Sequence, residues 1–214
     1  MRKITDGEIK NKERTKEKLI NAIGEIITKE GYSKIGINNI ARKAMVDKKL
    51  IYRYFGGIDE LLSSYFRKKD FWTNLNERVF ENIEINFQDF GKQVSIQFLT
   101  NLLDHLRDGE EIRKILIWEI TEKTDQLKKL SLEREMLGED LFKRTDPWFK
   151  ESSIDLRACY SILLGGIYYL SLHSKATGGN FCEIDINSEK DSERIKKAIS
   201  DMMELIYNAA NQKQ

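Results

Sequence analysis

Pro147 is the only proline in 214 residues. Only one residue of the chain therefore lacks a backbone N–H, and little interrupts the i→i−4 hydrogen-bond ladder. Abundant Lys, Glu, Leu and Ile push the same way, toward an all-α fold and away from strand-rich folds with many turns. Hydrophobic residues make up 40% and charged residues 33%, enough apolar material for one sizeable core or two modest ones. Disorder and a disulfide scaffold are both disfavoured.

The formal net charge of +1 hides an asymmetry. Residues 1–57 hold 14 Lys+Arg against 7 Asp+Glu, a net +7, and residues 58–214 hold 22 against 28, a net −6. A basic first quarter is the electrostatic footprint of a phosphate-binding module, although solubilising tails share it. Cys159 and Cys182 lie in no CxxC and at no metal-ligand spacing with histidine, so reduced buried thiols, no metal and no cofactor are expected. The polar amino terminus is unlike a secretory signal, and the longest apolar run, residues 162–170, is too short to cross a bilayer. The expectation is a cytoplasmic protein.

Helical periodicity runs from Arg14 to Lys29 through Leu19, Ile20, Ile23, Ile26 and Ile27, and Gly31 stands where a glycine stops a helix. Ile37, Ile40, Ala41 and Ala44 share one face of a short second helix. Asp47 can then cap a third, Lys48 to Phe55, on which Ile51 and Phe55 anchor inward while Lys48, Lys49, Tyr52 and Arg53 turn outward. Further helices are predicted near 58–85, 88–106, 110–121, 125–145, 152–174 and 188–211, about nine in all. The longest connection is placed at 175–187.

Two short helices joined by a tight turn, the second presenting cations and phenols, are what a helix-turn-helix needs to enter a major groove. A solvated corner of a helical bundle would share these features. The segment Gly31-Tyr32 followed by INNIARKAMVDKKLIYRYFGGIDELL (37–62) closely resembles the DNA-binding segment of the TetR (TetR/AcrR) family of one-component transcriptional regulators. The residues that match are Gly31, Tyr32, Ile40, Ala41, Ala44, Val46, Lys48, Ile51, Tyr52, Tyr54, Phe55, Glu60 and Leu61.

The resemblance implies an amino-terminal three-helix helix-turn-helix domain, 1–57, and a larger effector-binding and dimerisation bundle, 58–214. Carried over residue by residue, Lys48, Lys49, Tyr52, Arg53 and Tyr54, with Asn38 on the second helix, would face double-stranded DNA at a palindromic operator. There are three departures from the family pattern. Gly36 replaces a capping Thr, Met45 a turn Gly, and Ile58 a Lys near a phosphate, which could shift phosphate anchoring toward Arg2, Lys3, Lys10, Lys12 and Arg14. Met45 implies either a turn that does not need positive φ or one that tolerates strain.

In the remainder, Trp72, Phe98, Trp118, Tyr160, Tyr168 and Tyr169 have the apolar bodies and polar edges of an effector pocket, with Glu119 as an orienting group. Core packing explains each of them equally well. His105 and His173 read as structural. Ile195, Ile199, Met202 and Ile206 form an apolar stripe on the last helix, and Ile167 lies in the apolar segment 154–172. A pair of such helices suggests a homodimer interface, as TetR-like proteins form, with burial inside the monomer as the alternative. The expected function is a DNA-binding transcriptional repressor modulated by a small-molecule effector and not an enzyme. The competing classes are an effector-free helical adaptor whose basic end meets an acidic partner and, with less support, an all-helical enzyme, for which no Ser-His or Cys-His pairing, paired carboxylates or phosphate loop is evident.

Overall fold

The structure, a computed structural model, describes residues 6–70 and 89–211. Among the described residues there are nine α-helices, a single 3₁₀ turn and one isolated bridge, Phe181 to Ile184. The all-α expectation holds. In chain order the helices are α1 (Asp6–Lys29), α2 (Ile37–Ala44), α3 (Lys49–Phe55), α4 (Ile58–Lys69), α5 (Lys92–Asp108), α6 (Glu110–Thr121), α7 (Asp125–Phe149), α8 (Leu156–Thr177) and α9 (Glu189–Asn211). None is long and apolar enough to cross a membrane. The chain divides into two packing units: Met1–Asp70 with Lys114–Ser131, and Phe71–Arg113 with Leu132–Gln214.

In the first unit, Leu19, Ile23, Ile26 and Ile27 of α1 are buried with Ile40, Ala41 and Ala44 of α2, Ile51 of α3 and Leu61, Tyr65 and Phe66 of α4. α1 packs against α2, α3 and α4. The helix begins at Asp6, eight residues before the periodicity does. Residues 10–14 are polar and exposed, so the hydrophobic pattern gives no sign of this part of the helix. Gly31 terminates the segment at φ 85°, as expected of a residue free of a Cβ penalty.

In the second unit α5 is central and packs against both α8 and α9. Its Val94, Ser95, Phe98, Leu99, Leu102 and Leu106 are buried. Several helix ends differ from the sequence reading. α4 stops at Lys69 because Asp70 is extended (ψ 131°), and the predicted stretch 71–85 lies outside the described residues. α5 starts at Lys92 because Phe90 and Gly91 are left-handed. Thr145-Asp146-Pro147 does not break the chain, and α7 runs through Pro147 to Phe149. Proline there removes one donor from a turn that is about to end, a smaller loss than in a helix interior. α8 starts at Leu156, where Asp155 Oδ1 accepts the Ala158 N–H at 3.0 Å.

Both cysteines are free. Cys159 is half-buried, but Cys182 is exposed rather than buried, because it sits with Glu183 in left-handed conformation (φ 53° and 61°) at the corner closed by the Phe181–Ile184 bridge.

The α5–α6 junction is the tightest point of the second unit. The buried Arg113 guanidinium donates back to Leu106 O and to Arg107 O, the latter at 2.7 Å, so carbonyls at the end of α5 gain a cationic partner. A Cβ on Gly109 would stand 2.7 Å from His105 O and 2.7 Å from Ile112 Cγ2. Gly109→Ala is therefore expected to cost about 2 kcal/mol through overpacking and to lower the melting temperature by roughly 4–8 °C. Thermal unfolding followed by circular dichroism measures this, and an unchanged midpoint would show that the junction can relax.

Candidate nucleic-acid interface

α2, the turn 45–48 and α3 form a helix-turn-helix. Gly36 precedes α2 in an extended conformation and offers no side-chain cap. The turn is closed by Val46 N–H donating to Ala41 O at 3.0 Å and by Met45 in left-handed conformation, φ 55° and ψ 46°. Of the two readings of Met45, the strained one is observed. Asp47 performs its expected role: its Oδ1 accepts the Lys49 N–H at 2.8 Å and its carbonyl accepts from Leu50 at 3.0 Å.

Ile51 is fully buried and Phe55 half-buried, and these two hold α3 to the body. Lys48, Lys49, Tyr52 and Arg53 are exposed and Tyr54 is half-buried. Lys12 Nζ and the Arg53 guanidinium lie 5.9 and 5.8 Å from the Tyr54 ring centroid, at the outer limit of cation–π attraction. The basic residues Lys10, Lys12 and Arg14 belong to α1 itself, while Arg2 and Lys3 lie outside the described residues.

Internal pairing separates the cations of the two short helices. On α2, Lys43 donates to Glu30 Oε1 at 2.8 Å, Asn39 donates to Glu30 Oε2 at 3.0 Å, and Arg42 donates to Asn39 Oδ1. The Lys43 and Asn39 hydrogen bonds hold the Glu30 carboxyl below its ordinary range. On α3, Lys49 and Arg53 make no ion pair among the described residues, and Lys48 meets only a neutral amide, Asn38 Oδ1 at 3.3 Å. The charge that α3 presents is uncompensated. Sequence reasoning missed the Glu30 network because its members lie 9 and 13 residues apart, beyond any helical period.

The residues expected to form an effector pocket divide between the two units. Trp72 lies outside the described residues. Trp118 and Glu119 belong to the first unit, where the buried Trp118 stacks on Tyr32 (5.7 Å, 7°) and meets Phe66 at 5.6 Å. Thr121 Oγ1 lies 3.2 Å from the Tyr32 hydroxyl. Phe98, Tyr160, Tyr168 and Tyr169 belong to the second unit. Phe98 and Tyr160 are buried there, and Tyr169 is exposed beside His173 and Phe181.

The expected interface stripe also divides. Ile167 and Ile199 (2% exposed) turn inward within the unit, and Ile195 and Ile206 are half-buried. The apolar residues left outside on α9 are Ala198, Met202, Leu205 and Ala209, and on α8 Ala158, Ile162, Gly165 and Tyr169. Both sets follow a 4-3-4 spacing, one narrow stripe per helix. A Cβ on Gly165 or Gly166 would meet nothing within 4 Å, so no packing within the chain requires either glycine.

Residues 15–69 match the family model described as bacterial regulatory proteins, tetR family. No curated protein matches the sequence. Solved structures with a similar fold include the transcriptional regulator FadR from Bacillus subtilis in complex with stearoyl-CoA (17% identity, TM-score 0.65, covering 87% of this chain and 96% of that one). The fatty acid degradation regulator FadR from Bacillus halodurans is 15% identical, with TM-score 0.63 and coverage of 86% and 97%. NalD, the secondary repressor of the MexAB-OprM multidrug efflux pump in Pseudomonas aeruginosa, is 18% identical, with TM-score 0.56 and coverage of 88% and 95%.

The strain at Met45 gives a direct test of the turn geometry. A side chain in left-handed conformation costs about 1 kcal/mol relative to glycine, and Met45 is exposed with no packing to lose. Met45→Gly is expected to raise the melting temperature by roughly 2–4 °C, read by differential scanning calorimetry. A lower midpoint would mean that Met45 is held by contacts that outweigh the strain.

Proposed function

With residues 15–69 matched by the tetR-family model and its helical body matched in fold, the chain is a TetR-family transcription regulator, and from that premise we propose a homodimeric repressor. Its α3 enters the major groove of a palindromic operator, and an effector bound in the helical carboxy-terminal part lowers operator affinity. The observation that carries this reading is the uncompensated charge of α3. Lys48, Lys49 and Arg53 are exposed and unneutralised, with Tyr52 between them, while on α2 Lys43 is neutralised by Glu30 and Arg42 is engaged by the Asn39 amide. Lys48 and Asn38, at the amino-terminal ends of their helices, suit base edges or flanking phosphates. Tyr52, Arg53 and Tyr54 suit phosphate oxygens, which fix register on the duplex.

The two exposed stripes support dimerisation through α8 and α9. Each glycine in a helix interior costs about 1 kcal/mol relative to alanine, and a second backbone approaching closely at Gly165-Gly166 offsets that cost. Two half-sites would then lie about one helical turn apart or a multiple of it. Coupling works by population shift: an effector that prefers the conformation with mis-spaced recognition helices weakens operator binding by its differential affinity, about 1–3 kcal/mol in typical cases. Because one of the similar structures holds stearoyl-CoA and another is a fatty acid degradation regulator, an acyl-bearing effector is favoured.

Fluorescence anisotropy with the DNA upstream of the protein's own gene tests the regulator reading, and absence of a specific, salt-sensitive complex at any promoter tried would sink it. Lys48→Ala is expected to weaken that complex and to reduce its log–log salt slope by about one; unchanged affinity and slope would remove Lys48 from the interface. Leu205 is 67% exposed and Ile162 76%, so an aspartate at either position leaves the monomer core intact. Leu205→Asp is expected to give folded monomers in sedimentation velocity, whereas a full-strength dimer would locate the interface elsewhere.

A further inference from the structure

The outward side chains of α2, the turn and α3 sort by hydrogen-bond chemistry. Those exposed include Asn38 and Arg42 on α2 and Lys48, Lys49, Tyr52 and Arg53 beyond it. Ammonium and guanidinium groups donate and cannot accept, a phenol does either, and an amide ordinarily does both. Asn38 is restricted further. Its Oδ1 accepts from Lys48 Nζ at 3.3 Å, the one hydrogen bond this side chain makes among the described residues. Because the ammonium can only donate, the amide oxygen has to face it, and the two Nδ2 donors are turned away from Lys48.

The other acceptors of this surface are drawn back into the fold. Asn39 donates to Glu30 Oε2 and to Lys34 O, each at 3.0 Å, and its own oxygen accepts from Arg42. Asp47, the one acid between Ile37 and Phe55, is turned onto the backbone, where its Oδ1 takes the Lys49 N–H at 2.8 Å. What remains outward is dominated by donors, and at the junction of the two helices the Lys48 ammonium and the Asn38 amide N–H stand beside one another.

Such a pair discriminates among bases. In the major groove guanine presents two adjacent acceptors, N7 and O6, and thymine presents one, O4, beside a methyl group. Adenine sets an acceptor next to an amino group, and cytosine shows an amino group alone. Two neighbouring donors satisfy both atoms of guanine. Against adenine or cytosine a donor meets a donor, and a desolvated donor without a partner is penalised. The usual pairing of an amide with adenine needs both of its ends, the N–H for N7 and the oxygen for the N6 amino group. Asn38 has its oxygen on Lys48, so that pairing requires Lys48 to be displaced first.

We propose that Lys48 and Asn38 act together as a two-donor reader of guanine, one guanine in each operator half-site, with the ammonium on one acceptor and the Asn38 N–H on the other. Lys48 thereby has two roles: it contacts the base, and it holds the Asn38 amide in the orientation that rejects adenine. The inference rests on the DNA-binding reading above and gives that interface its base preference.

Selection of randomised duplexes by the full chain, followed by fluorescence anisotropy on the selected site, tests it. Each half-site is expected to carry a guanine whose replacement by adenine weakens binding about 10-fold. Inosine, which keeps N7 and O6, should bind like guanine, and 7-deazaguanine, which lacks the N7 acceptor, about 10-fold more weakly. These analogues are read with the unaltered protein. Lys48→Ala frees Asn38 Oδ1, so this variant should bind adenine and guanine at that position to within about twofold of each other. Asn38→Ala should reduce the guanine preference without creating one for adenine. Half-sites that lack guanine, 7-deazaguanine bound as well as guanine at every guanine of the half-site, or a guanine preference that survives both substitutions would each overturn the proposal. A specific complex with any of these results removes this inference alone, whereas no specific complex with any duplex removes the regulator reading and this inference with it.

Discussion

Helices of eight and seven residues do not persist in water by themselves, because nucleation costs more than so few ladder bonds return. α2 and α3 are of that length, so the helix-turn-helix exists only because something holds it. What holds it is the apolar stripe of α1. Leu19, Ile23, Ile26 and Ile27 form a wall on which Ile40, Ala41, Ala44 and Ile51 are buried. Glu30, where α1 ends, adds polar ties by accepting from Asn39 and Lys43 of α2. The exposed cations proposed to meet DNA therefore sit on α3, while the shape of the element comes from α1.

The same arrangement sorts charge. A basic amino-terminal quarter says nothing about which cations can meet a phosphate. Pairing within the fold withdraws Lys43 and engages Arg42, yet leaves Lys49 and Arg53 uncompensated. An ion pair already satisfied inside the chain has little to gain from a second anion, whereas an unpaired exposed cation releases its counter-ions on meeting DNA. On the proposed reading, the local availability of charge, rather than its sum, is what selects α3 as the contact surface.

How much of this was legible in the sequence follows from the range of the interactions. The bounds of α2 and α3 were readable to within a residue, because Gly36, Asp47 and Gly56 act on their immediate neighbours. The inward and outward faces of α3 were readable too, since two anchors four residues apart define a face. The orientation of α9 was not. That helix carries two apolar stripes, one through Ile199, Met203 and Tyr207 and one through Ala198, Met202 and Leu205, and periodicity cannot say which meets α5. Trp118 was legible as a large apolar body with a polar edge, but its partner Tyr32 lies 86 positions earlier in the chain, a pairing that only the fold reveals.

The stacked pairs Tyr32–Trp118 and Phe90–Trp148 fall in different packing units, and each places an indole in a fixed, asymmetric ring environment. The protein therefore carries an intrinsic chromophore in each half. Once Trp72 is replaced by phenylalanine, near-ultraviolet dichroism of a variant lacking Trp148 reports on the amino-terminal unit, and that of a variant lacking Trp118 reports on the other. Whether the two halves melt together or in sequence can then be read without attaching a label to either.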